Sequence, residues 1–194
     1  ERLSGHKWAG ELQLEADTAV ARKTYKEQSK GVVVGPYLTP EALHSAMCRL
    51  HPHLDPRQVY PRIMERFGVR QKGDIRAIDN GRSNGANAAT RLYETITTPH
   101  FSFTAVAARA TAVAAGSLGI PIPHMTVSLC DLAMAYRTIP TSQPWYTAVA
   151  FYNPISTPPR PEIYWLPGHN FGLASAVVNF GRYPELVTIS VRCQ

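Results

Sequence analysis

Cysteine is scarce. Cys48, Cys130 and Cys193 are the three in a chain of 194 residues, an odd count without a Cys-x-x-Cys pair, which argues against both a disulfide framework and a zinc knuckle. Cys48, His51 and His53 lie close together, but no second ligand pair accompanies them, whereas structural zinc takes four donors. A reducing intracellular compartment, nucleus or cytoplasm, is the expectation. Long apolar runs are also missing: none reaches the roughly 18 residues of a membrane span. The longest, from Thr104 to Leu118, is Ala-rich, carries Arg109 and reads as a packed helix. Acids number only 14, and no two aspartates are adjacent anywhere in the sequence.

What is present is enough apolar side chain, 44% of residues, to bury a core, and an unevenly placed positive charge. The formal net charge is +6. Residues 57–91 hold eight Arg or Lys against three acids, a net of +5, whereas residues 1–56 are balanced. Arginine outnumbers lysine fifteen to five, and guanidinium forks suit bidentate phosphate contacts, so a polyanion such as RNA or an RNA–DNA duplex is the expected partner. Arg66, Arg70, Lys72 and Arg82 are the candidate contacts, and no membrane association is expected.

Three regions follow in order. Residues 1–56 read as mostly helical: an exposed helix from about Gly10 to Lys30, a turn-bounded run Gly31 to Tyr37, and a second helix opened by Thr39-Pro40-Glu41, with a capping hydroxyl and Pro at the first helical position. Residues 57–120 form a basic segment and the Ala-rich helix. Within them, Phe67 to Arg82 alternates apolar and polar residues around Lys72-Gly73-Asp74, which predicts a hairpin. Residues 121–194 read as strand, turn, strand over Met125–Cys130, Tyr146–Tyr152 and Glu162–Leu166, before a small-residue helix start after Phe171. The sequence opens at Glu1 without methionine and stops at Cys193-Gln194 straight after an apolar run, so both ends read as cut, and a fragment, a processed product or an incomplete chain would each account for this.

The strand His124 to Cys130 delivers a carboxylate, Asp131, at its end and an aromatic, Tyr136, five residues later. A strand-end carboxylate can hold Mg²⁺ while nucleotide phosphates supply other ligands. Gly35-Pro36, Arg66-Phe67-Gly68-Val69, Asp74-Ile75-Arg76-Ala77-Ile78-Asp79-Asn80, Asp131-Leu-Ala-Met-Ala-Tyr136-Arg137 and Leu166-Pro-Gly-His-Asn-Phe-Gly172 occur in the order found in retroelement-type reverse transcriptases, RNA-directed DNA polymerases, and the chain resembles their fingers and the first half of their palm over residues 30–182. The resemblance implies an α/β (α+β) fold: an antiparallel palm-like sheet with flanking helices and a fingers-like hairpin, a truncated polymerase. It further implies that Asp131 and the Leu132 carbonyl bind Mg²⁺, that Arg76 meets the triphosphate, that Tyr136 walls the sugar pocket, and that Gly172 and Ser175 lie near the nucleotide.

The sequence departs from the family at Asp74, at Asn80 in place of a second Asp, at Met134 in place of a lysine, and at Gly168-His169-Asn170, which lengthen the Leu-Pro-Phe-Gly turn. Two-metal transfer needs several converging carboxylates, so Mg²⁺ chemistry is expected only if a further protein segment supplies an Asp-Asp pair. The rival expectations are a non-catalytic nucleic-acid-binding module and a structural or assembly subunit.

Overall fold

A computed structural model describes residues 10–93, 102–124 and 134–182. They divide into two compact units, one built from residues up to 94 and from 134 onward, the other from residues 95–133. In the second unit, α4 (Phe103–Ser117) is a helix without acidic residues, as its alanine-rich composition predicts.

The first unit is a mixed five-stranded sheet with flanking helices. Helix α1 (Gly10–Ser29) leads to β1 (Val34–Tyr37), α2 (Pro40–Leu50), the hairpin β2 (Met64–Gln71) and β3 (Asp74–Asn80), a helical turn α3 (Ala86–Ala89), and the pair β4 (Ala148–Asn153) and β5 (Arg160–Trp165). A further helix, α5, covers residues 174–182. The strand order is β1-β5-β4-β2-β3. The other neighbouring strands pair antiparallel, but β2 meets β4 in parallel over Met64↔Val149 and Glu65↔Ala150. The sheet is therefore not wholly antiparallel as expected, because a long connection after β3 brings the chain back in the direction of β2. The expected strand at Tyr146 begins two residues later, since Pro144 to Tyr146 form a 3₁₀ turn. The expected strand Met125–Cys130 lies outside the described residues.

Alternation along the central strands explains both faces. Val149, Phe151 and Tyr164 point to one side, where they pack with Val20, Met64, Leu166, Leu173 and Ala176. Ala148 and Ile163 point to the other, against Leu43 and Met47 of α2. Strands covered on both faces read as continuous apolar runs, as Ala148 to Phe151 do. The capping hydroxyl is as the sequence predicts, with Ala42 N donating to Thr39 Oγ1 at 3.2 Å.

Helix α1 buries only a narrow stripe of small residues, Ala16, Val20, Ala21 and Thr24. Its close approach depends on Gly68, where a Cβ would stand 2.8 Å from Ile75 Cγ2 and 3.1 Å from Ala16 Cβ. That approach carries Thr24 and Glu27 to the face of β2. Among the described residues, no helix is long and apolar enough to cross a membrane.

Candidate functional site

The two-residue turn Lys72-Gly73 fixes the hairpin register so that Arg66 stands directly opposite Asp79. Both side chains are interior. Arg66 Nε donates to Asp79 Oδ1 at 2.6 Å, and Nη2 to Oδ2 at 3.2 Å. Arg66 Nη1 reaches Glu27 Oε2 at 2.9 Å and Thr24 Oγ1 at 3.0 Å. From the 3₁₀ turn 135–138, Arg137 Nη2 donates to Asp79 Oδ2 at 2.9 Å and lies 3.5 Å from Glu27 Oε1. Two guanidinium groups thus meet two carboxylates, and the cluster is neutral in sum. Burial pushes the Asp79 carboxyl up, but the Arg66 and Arg137 charges, with their hydrogen bonds, outweigh it and hold the group below the usual carboxylate range. Burial works against the charged Arg66 as well, and Asp79 and Glu27 more than offset it.

The turn around residue 170 closes over this cluster. Arg137 Cζ lies 5.2 Å from the Phe171 ring centroid, within cation–π range. A Cβ on Gly172 would overlap the Asp79 carbonyl oxygen, and one on Gly168 would overlap the Arg137 carbonyl oxygen, so both positions require glycine for close backbone approach. Asn87 Nδ2 donates to the Gly172 carbonyl at 2.8 Å while its Oδ1 accepts from Ala174 N at 2.8 Å. His169 N donates to the carbonyls of Tyr136 and Ile139, and burial lowers the pKa of its imidazole. The Tyr136 ring is half-buried, edge-on to Phe171 at 5.1 Å and to Phe180 at 5.5 Å.

Three separate sequence motifs therefore converge: the strand pair Arg66 and Asp79, the Tyr136-Arg137 turn, and Phe171-Gly172. Tyr136 and Gly172, expected beside a nucleotide, do lie near one another. Ser175 lines a polar cavity of about 330 Å³ with Thr90, Thr141, Gln143 and Thr147. Arg76 is exposed on the edge strand β3, where it helps Lys23 and its hydrogen bond lower the pKa of Asp74. Lys72 in the turn and Arg82 after β3 are exposed.

Two of the expected phosphate contacts stand differently. The Arg66 guanidinium is wholly enclosed by its carboxylate partners and offers nothing to a polyanion. Arg70 is exposed but pairs with Glu15 at 2.6 Å. Sequence reading gave Arg137 and Asp79 no role. The signal that would have found Asp79 is the hairpin register, which sets an acid across from an arginine on a strand whose neighbours Met64 and Gly68 face inward. Asp131 and Leu132 lie outside the described residues, and among the described residues no three His, Cys, Asp or Glu side chains are placed to share a metal ion. Asp79 has both oxygens committed to arginines, so it is not a free ligand for Mg²⁺. No protein-family model matches the chain, and no curated protein matches it.

Proposed function

We propose that the chain is the fingers and first palm half of a reverse-transcriptase-like nucleotidyltransferase, and that an RNA or RNA–DNA duplex is its partner. The supporting observation is the convergence at Asp79. The Arg137 to Asp79 ion pair and the Gly172 contact bring together the β2–β3 hairpin, the Tyr136-Arg137 turn and the Phe171-Gly172 turn, three of the segments that carry the resemblance. In this reading Arg76, Lys72 and Arg82 meet phosphates from the exposed side of the hairpin, Tyr136 walls the sugar pocket, and Asp131 provides one carboxylate of a metal set, the sequence containing no adjacent pair of aspartates to complete it.

A second reading, nucleic-acid binding without turnover, is favoured by the commitment of Asp79 to structure and by the lack of an adjacent pair of aspartates. One experiment bears on both. The purified chain should bind an RNA–DNA duplex with salt-dependent affinity, and replacing Lys72, Arg76 and Arg82 together should lower the slope of log K against log salt by about one unit per lost contact. Primer extension by this chain should be absent at any Mg²⁺ or Mn²⁺ concentration, and any nucleotide affinity should fall in Asp131→Ala and Arg76→Ala. Salt-independent or absent duplex binding would refute the first reading. Extension abolished by Asp131→Asn would refute the second.

A further inference from the structure

Strands β2 and β4 are each entered from an extended or turn segment, 57–63 and 143–146, and between these lies a groove of about 910 Å³. Its walls are tied together by hydrogen bonds. Arg62 N donates to the Trp145 carbonyl at 2.8 Å, and Asn84 Nδ2 donates to the carbonyls of Arg62 at 2.9 Å and Tyr146 at 3.4 Å. Asp55 Oδ1 accepts from Arg57 N at 2.9 Å and shapes the entry. These hydrogen bonds tie the two walls to each other, and such pre-ordering lowers the cost of binding.

Its chemistry differs from the rest of the basic segment. Arg57 and Arg62 are exposed and line it, and among the described residues no ion pair engages either guanidinium, in contrast to Arg66 and Arg70. None of the lining residues is acidic. Between the two arginines stands Tyr60, 51% exposed, its ring braced by His44 at 5.1 Å. His44 is itself held 2.9 Å from the Pro56 carbonyl through Nε2. Gln58 and Gln143 add neutral donors and acceptors.

From this arrangement we propose that the groove binds single-stranded nucleic acid, with Arg57 and Arg62 on backbone phosphates and Tyr60 stacking on a base. The proposal rests on the nucleic-acid reading above and deepens it, since it assigns a second surface and a strand state. Unpaired guanidinium groups beside an exposed, braced aromatic are what a flexible strand with free base faces requires. A duplex hides those faces inside its stack.

The test uses the whole chain and fluorescence anisotropy with a labelled oligo(dT) of about 12 nucleotides, a duplex of the same length, and heparin, a polyanion without bases. Oligo(dT) should bind more tightly than the duplex. Tyr60→Ala should weaken oligo(dT) binding by about five- to a hundredfold and leave heparin unchanged, and Tyr60→Phe should restore it. Arg57→Ala with Arg62→Ala should lower the salt slope for oligo(dT) by about 1.4, at roughly 0.7 per phosphate contact of a single strand. All three variants change exposed side chains and should melt like the wild type. Unchanged oligo(dT) binding in these variants, with the salt slope for the duplex still lowered on replacing Lys72, Arg76 and Arg82, would overturn the groove and leave the nucleic-acid reading standing. Binding to none of the three probes would overturn that reading, and the groove with it.

Discussion

Asp79→Asn tests the buried charge cluster most directly. The carboxylate is 1% exposed and accepts three hydrogen bonds from Arg66 and Arg137, whose side chains are 0% and 2% exposed. Removing its charge leaves two guanidinium groups sharing Glu27 alone, so the interior carries a net positive charge. Breaking a buried pair from one side costs about 3–5 kcal/mol, a large share of the roughly 5–15 kcal/mol that holds a domain folded. At about 2–4 °C per kcal/mol for a chain of this length, the melting temperature should fall by roughly 6–20 °C. Urea titration followed by circular dichroism measures the loss. A double-mutant cycle with Arg137→Met should return a coupling well above the roughly 0.5 kcal/mol of independent sites. The pH dependence has a definite sign. The folded pKa of Asp79 is depressed below the unfolded value of about 3.9, so its contribution is present above about pH 4 and is lost as pH falls through the depressed value. The acid limb of wild-type stability should therefore be steeper than that of Asp79→Asn. A cost under about 1 kcal/mol, or a coupling near zero, would refute the view that the cluster joins the hairpin to the Tyr136 turn.

Three further outcomes are expected. Gly172→Ala should destabilise the fold by about 1–3 kcal/mol, read in the same urea titration, because its methyl would overlap the Asp79 carbonyl. Tyr164 is buried and donates to Glu162 Oε2 at 3.0 Å, and burial, with the Glu162 charge, pushes its pKa well above that of a free phenol. Its share of stability holds below about pH 10 and declines as pH rises beyond that value. Ultraviolet titration of the folded protein should accordingly be the same in Tyr164→Phe as in the wild type up to about pH 11. Lys72→Ala, Arg76→Ala and Arg82→Ala should leave the melting temperature within about 2 °C of wild type, since exposed substitutions stay within roughly 0.5 kcal/mol.

Local chemistry made much of this fold legible. Thr39-Pro40-Glu41 announced α2, and Lys72-Gly73 announced the hairpin, because caps and tight turns depend on residues adjacent in sequence. The parallel seam between β2 and β4 was not legible, since nothing within either strand specifies a partner some 85 positions away. Charge counting misplaced Arg66 for a similar reason. A net of +5 over residues 57–91 says how many cations the segment holds, and Glu27, which partly neutralises Arg66, lies outside that window on α1. Alternation was the better guide: Met64, Arg66 and Gly68 share the inward face of β2, and an arginine on such a face requires a carboxylate partner. Lys72, Arg76 and Arg82 sit at a turn, on an edge strand and in a loop, where the same count does describe exposed charge.

The parallel seam also sets an order of assembly during synthesis. Arg66, Asp79 and Glu27 all emerge early and can pair as soon as the hairpin forms. Arg137 and β4 follow only after some 55–70 further residues, which at about 5–20 residues per second takes several seconds. Through that interval the second edge of β2 has no neighbour, and the early ion trio carries two carboxylates for one arginine. Arg137 and β4 emerge within about a dozen residues of each other, so neutralising the interior and completing the sheet should coincide late in synthesis.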